Sequence, residues 1–195
     1  MRVTKAQAQA NRERIVETAS TLFRERGYDG VGVVDLMAAA GFTHGGFYKH
    51  FGSKADLMGE AAACGFAQTM EKGSGLELAE FIKRYVSRDH RDQPGDGCTI
   101  AALCGDTARQ SEDIKATFAG GIESLLAALL PDSDALQEQQ LAEKRAKAIF
   151  LMASAIGAIV LSRACPDDSA LADEILTACR TEMLATVLPS LDAKE

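Results

Sequence analysis

Between Ala40 and Leu57 the chain reads AGFTHGGFYKHFGSKADL, placing two histidines, a tyrosine, two lysines and two hydroxyls ahead of the first carboxylate at Asp56. Such a set donates hydrogen bonds and carries positive charge, so it suits an anionic partner more than it suits bond-breaking. Elsewhere no Ser/His/Asp spacing, paired carboxylate or glycine-rich phosphate loop appears, and the chain is expected not to be an enzyme. Asp167-Asp168 and Glu112-Asp113 fall where helices begin and suit the positive helix end. The five cysteines, Cys64, Cys98, Cys104, Cys165 and Cys179, form no CxxC pair. Nor do they stand at zinc-finger spacing from His44, His50 or His90. No metal and no cofactor is expected, and reduced, packed thiols are the default in a chain long enough to bury its own core.

Those donors need a scaffold, and the apolar spacing supplies one. Ile15, Ala19, Leu22 and Phe23 form a helical stripe that Gly27 stops. Leu36, Met37 and Ala40 form a shorter one that Gly41 stops, and a third runs over Phe47 and Phe51. Two short helices joined by a tight turn at Ala40-Gly41-Phe42 spell a helix-turn-helix. On a helical wheel Phe47 and Phe51 face inward, leaving His44, Gly45, Tyr48 and Lys49 on an exposed arc. Thr43 stands where it can cap the helix and leave N–H groups aimed outward at phosphate. Gly45 and Gly46 each cost about 1 kcal/mol of helix propensity. That cost is borne most easily where a backbone must approach another surface, such as a major groove. A plain helical hairpin with a solvated lysine fits the same pattern.

The stretch Ala40–Leu57 resembles the signature of the TetR family of bacterial one-component repressors. Its marks are a glycine and hydroxyl turn, a hydrophobic-Tyr-x-His-Phe helix, and Ser-Lys-x-Asp-Leu after it. Upstream, Ile15-Val16-x-x-Ala19-x-x-Leu22-Phe23-x-x-x-Gly27-Tyr28 resembles the family's first helix. The resemblance implies that Tyr48, His50 and Lys54 contact DNA phosphates and that Thr43 caps and also touches phosphate. It implies that His44, Gly45 and Lys49 face base edges or nearby backbone. Val31-Gly32-Val33-Val34 departs from the family, which usually places Ser/Thr and polar or basic residues there. Gly32 can still stand at the cap with Asp35 three residues on.

Charge agrees with a division of labour. The formal net charge is −7, but residues 1–54 carry +3 and residues 55–195 carry −10. A basic head on an acidic body is the asymmetry expected when only the head meets a polyanion. Arg2 and Lys5 offer a possible arm along the duplex, or a frayed terminus.

Beyond the head the spacing predicts only helices. A Ser53-x-x-Asp56 capping box opens one reaching about residue 71. Others follow at about 77–90, 100–109, 112–130, 135–163 and 168–188, with RDQPGDG (91–97) as a loop and Pro131–Asp134 as a separator. The expected fold is all-α with about nine helices, divided into a head (1–54), a connecting helix (55–71) and an effector-binding and dimerisation body (72–195). The run Ala148–Leu161 falls short of the roughly 20 apolar residues that span a bilayer and reads as a buried helix. With a polar amino terminus, this places the chain in the cytoplasm.

That helix is apolar all round, and Leu171, Ile175, Leu176, Cys179, Met183 and Val187 line the last one. One face of the pair is expected to meet a second copy, forming the four-helix bundle that the resemblance implies. Two heads would then read a palindromic operator on double-stranded DNA. The resemblance also implies a small-molecule effector held among the middle helices, and few charges there suggest an apolar or aromatic one. Candidate lining residues are Phe66, Phe81, Tyr85, Cys98, Cys104 and Phe118. The alternative is a switch worked by oxidation or electrophiles at Cys98 and Cys104, helped by Arg88, Arg91 or Arg109. Asp96 and Asp106 would oppose it by raising a thiol's pKa. The remaining alternative is a helical interaction domain without DNA binding.

Overall fold

Gly27 and Gly41 both stand at positive φ, +71° and +83°, where a side chain would be strained, and each ends a helix as its position predicts. They bound the first two helices of the computed structural model, which describes residues 4–130 and 137–188. α1 (Lys5–Arg26) is capped by the Thr4 hydroxyl, which accepts the Gln7 N–H at 3.2 Å. α2 (Val33–Ala39) leads into a 3-10 turn, His44–Lys49. α3 (Lys54–Gly73) starts at Ser53, whose hydroxyl accepts the Asp56 N–H at 3.1 Å and donates to the Asp56 carboxylate at 2.9 Å. After it come α4 (Leu78–Tyr85), α5 (Arg88–Asp92), a 3-10 turn at Pro94–Asp96, and α6 (Thr99–Thr107). α7 (Glu112–Ala128), α8 (Glu138–Arg163) and α9 (Ala170–Val187) complete the chain. The fold is all-α, 79% helical, with no strand among the described residues.

Two boundaries differ from the sequence reading. The helix expected over 77–90 is two helices, broken at Ser87. That residue is extended (φ −138°, ψ 161°), and its hydroxyl accepts the His90 N–H at 3.2 Å while donating to the Arg84 carbonyl at 2.7 Å. One side chain thus closes α4 and opens α5, and α5 runs on into the expected loop. The 135–163 helix begins at Glu138, where Gln137 and Gln140 form a reciprocal capping box. The separator Pro131–Asp134 and Arg2 lie outside the described residues.

Contacts divide the chain into two compact units. The first joins the chain up to Thr69 with Pro94–Gly121; the second joins Met70–Gln93 with the chain from Ile122. The first is built around Ile15, Phe23, Tyr28, Leu36, Met37, Phe47 and Leu57, all at most 1% exposed. It also buries a charge. The Arg24 guanidinium donates to the Gly95 carbonyl from two nitrogens (2.7 and 3.0 Å), to Ser20 Oγ (2.7 Å) and to Gln68 Oε1 (3.1 Å). A buried cation is tolerated only with such partners, and burial lowers its pKa.

In the second unit α8 lies against α9 through Leu151, Ala155, Ala158 and Ile159 on one side and Ala172, Leu176 and Met183 on the other. Arg91, also buried, donates to the carbonyls of Ser162 (3.2 Å) and Cys165 (3.3 Å) and to Asp167 Oδ1 (3.2 Å), fixing the turn between them. Within a single chain α8 is not fully buried. Its inner face is covered, but Ile149, Phe150, Val160 and Leu161 remain exposed. By length and composition α8 is also apolar enough to cross a membrane, a test that packed helices of soluble proteins pass too.

Candidate nucleic-acid interface

Phe47 and Phe51 anchor the segment after the Gly41 turn; both are buried, with ring centroids 5.5 Å apart. The segment His44–Lys49 is wound as 3-10 rather than α-helix, and six residues is long for that geometry. Thr43 holds the cap position but makes no side-chain cap, contrary to expectation. The physical reason is the tighter winding: the Gly46 N–H that a cap would take is donated to the Thr43 carbonyl at 2.9 Å. The segregation of faces nonetheless matches the wheel. Thr43, His44, Gly45, Tyr48 and Lys49 are exposed, and His50 is half-buried beside Phe51. Tyr48 is 69% exposed and stands edge-on to Phe47 (5.2 Å) and His44 (6.3 Å).

Nothing inside the fold requires glycine at position 45. Its φ is not positive, and a Cβ built there would meet no atom within 4 Å. The result is bare backbone at the surface, flanked by an imidazole, a phenol and an ammonium. This arrangement can donate hydrogen bonds to an anion while letting that anion come close.

Sequence reasoning missed two features behind this surface. Arg12 forms a bidentate ion pair with Glu60, bracing α1 against α3, and stacks over the Phe51 ring at 4.8 Å. Arg14 lies over Phe42 at 5.9 Å. Arg12 and Arg14, two positions apart on α1, were the available signal. The Lys54 ammonium, expected at phosphate, also donates to the Tyr28 carbonyl at 2.6 Å.

The candidate effector residues are divided between the units. Phe66 and Phe118 are buried edge-to-face in the first (5.3 Å), where Cys98 is buried at the start of α6 and Cys104 is exposed along it. Phe81 and Tyr85 pair in the second (5.5 Å), with Tyr85 against His90 at 4.4 Å. None of the five cysteines is in a disulfide. Desolvation of its inner side raises the Cys104 thiol above its usual pKa, and Cys98 and Asp106 add to this. Cys64 is raised too, chiefly by burial and then by Glu17. Both shifts oppose thiolate chemistry at neutral pH. No cluster of His, Cys, Asp and Glu among the described residues could hold a metal.

A profile of bacterial regulatory proteins of the tetR family matches residues 15–61, from the first buried isoleucine of α1 to the middle of α3. Residues 15–61 match the tetR family. One relative, the HTH-type transcriptional repressor DhaR of Mycobacterium sp. strain GP1, is 30% identical over 110 residues, covering 53% of this chain and 56% of DhaR. The chain therefore spans only about half the length of that curated relative. A TetR regulator from Chloroflexus aurantiacus superposes with a TM-score of 0.71 at 21% identity, over 92% of this chain and 94% of that one. AibR, solved with isovaleryl coenzyme A and operator DNA, superposes with a TM-score of 0.54 at 18% identity, over 88% and 97%. These likenesses extend the shared TetR fold beyond the profile-matched residues.

Proposed function

We propose that this chain is a transcriptional repressor that binds a palindromic operator as a homodimer and leaves it when a small molecule binds. The observation carrying the DNA-binding part is the exposed arc of Thr43, His44, Gly45, Tyr48 and Lys49, held on a buried aromatic base and bare of side chain at Gly45. Phosphate contacts from Thr43, Tyr48, His50 and the start of α3 set orientation; Lys49 and His44 read base edges. The +3 head and −10 remainder favour docking by the head alone. DhaR is a transcriptional repressor, and AibR was solved with a ligand together with operator DNA.

Dimerisation is supported by the exposed apolar stripe of α8, where Ile149, Phe150, Val160 and Leu161 share one side with Ala153 and Gly157. A contiguous apolar surface of this kind marks an interface, and the small residues let a second helix approach. An apolar or aromatic effector is favoured by Phe66, Phe118 and their neighbours, and a cytoplasmic address follows from the role.

The test is footprinting against duplexes selected from a random pool. A protected palindrome is expected, with affinity falling steeply as salt rises. Absence of binding, or equal binding to every duplex, overturns the reading. A monomeric mass by light scattering at micromolar concentration overturns the dimer.

A further inference from the structure

The outer face of α2 has nothing to donate. Leu36, Met37 and Ala40 form its buried side, each at most 1% exposed. Val34, Asp35, Ala38 and Ala39 are exposed, and Val34 is 60% exposed. Asp35, the one charged residue among them, turns its carboxylate back along its own helix: a Cβ at Gly32 would lie 3.4 Å from Oδ2. This face carries no hydroxyl, amide, imidazole or cation.

The packing of α2 fixes where Val34 stands. Met37 meets the 3-10 turn, since a Cβ built at Gly46 would lie 3.5 Å from Met37 Cε. With 3.6 residues per turn, Val34 falls roughly 60° round the helix from Met37, on the side away from the core. Asp35 and Ala39 fall on the opposite flank. Val34 therefore stands on the flank of α2 that borders the turn, with Ala38 one turn behind it. A methyl surface lies beside the donors His44, Tyr48 and Lys49.

A lone exposed valine needs no explanation on a soluble protein. This one borders the arc that meets DNA, where base edges in the major groove present one apolar feature, the C5 methyl of thymine. An isopropyl group can pack on that methyl. Against N7, O6 or the amino group of cytosine it can only cover a polar atom and leave it without a partner, which costs affinity. The side chain thus favours thymine and penalises the other bases.

We propose that Val34 is a specificity-determining residue, whose isopropyl group packs on the C5 methyl of one thymine in each half of the operator. The proposal rests on the operator-binding reading of residues 43–49 and adds a base to those read by His44 and Lys49.

The experiment uses the full chain and a duplex selected by wild type. Each thymine of the half-site is replaced in turn by uracil, which removes the methyl and keeps the base pair and its hydrogen-bonding groups. Affinities are measured for wild type and Val34→Ala, with folding checked by thermal melting. Alanine is the better helix former at this exposed position, so lost affinity does not report lost folding. One thymine per half-site is expected to carry a uracil penalty of about fourfold, the worth of one methyl taken out of water. Val34→Ala should weaken binding to the thymine duplex by a similar factor and show no uracil penalty at that position, because both changes remove the same contact. With a cytosine at that position, 5-methylation should strengthen binding of wild type and leave Val34→Ala indifferent.

The proposal is overturned if no thymine carries a uracil penalty on a duplex that wild type binds selectively. It is equally overturned if the penalty persists in Val34→Ala, which assigns the methyl to another residue, or if Val34→Ala weakens thymine and uracil duplexes alike. Failure of wild type to prefer any duplex overturns the operator reading and this proposal with it.

Discussion

The arc of Thr43, His44, Gly45, Tyr48 and Lys49 is short, polar and wound as a 3-10 turn. The stripe of Ile149, Phe150, Val160 and Leu161 is apolar and rides on a 26-residue α-helix. Both are exposed, yet for opposite reasons. The arc is solvated at little cost, and its conformation rather than its hydration looks outward: glycine at 45 serves no internal need. The stripe is conformationally ideal and badly hydrated. A partner of the first gains by charge and close approach, so its grip fades with salt. A partner of the second gains by area removed from water, which salt hardly weakens. One molecule thus presents two surfaces that respond to different solution conditions.

Several substitutions would break or sharpen this contrast. The largest effect is expected from Phe150→Asp, which places a charge in the centre of the stripe. It should weaken self-association by about a hundredfold or more, read by sedimentation, and leave the monomer's melting temperature nearly unchanged. A dimer that survives it locates the interface elsewhere. Lys49→Ala should weaken operator binding by about tenfold and flatten preference at the bases it faces, read by competition among mutated duplexes. Gly45→Ala separates conformation from contact. The free chain should gain up to about 1 kcal/mol in denaturant titration, while operator affinity drops several-fold because the new methyl meets the duplex. Equal or better binding would mean that nothing approaches closely there. Tyr48→Phe should cost about 1 kcal/mol of binding, uniformly across sequences.

The smallest effect contrasts the phenol facing solvent with the one behind it. Burial pushes Tyr28 up to about 12 from its ordinary 10, Asp106 adding to this and Thr107 opposing it. A raised pKa means that the neutral form is favoured in the folded chain. That stability is complete below about pH 10 and is lost as pH rises through about 12. Tyr28→Phe should abolish this part of the alkaline dependence in melting curves taken across that range.

Sequence reading succeeded where a local rule controls the outcome. Gly27 and Gly41 needed only their positive φ, and Phe47 and Phe51 needed only their spacing, so the helix-turn-helix and its exposed arc were visible in advance. It failed where the deciding partner is distant or is backbone. Lys54 carries a hydrogen bond to the Tyr28 carbonyl, 26 residues earlier, that no local pattern announces. Ser87 looks like an interior helix residue because the apolar spacing continues past it, and its double hydrogen bond carries no pattern. α8 shows the limit of periodicity itself: a helix apolar on every side does not say which side its own chain will cover.

The interrupted make-up of the first unit bears on the order in which the protein is synthesised. Arg24 waits for the Gly95 carbonyl, 71 residues later, and the Tyr28 amide waits for Asp106, 78 residues later. A nascent chain that has emerged only as far as residue 93 contains every residue of the profile-matched segment but leaves the Arg24 guanidinium without its Gly95 acceptor and the Tyr28 amide without Asp106. The profile-matched segment is therefore expected not to behave as an autonomous cassette. A fragment ending before residue 94, the obvious one to excise as a minimal DNA-binding module, should be loosely folded. Grafting this head onto another regulator should succeed only when residues 94–121 travel with it.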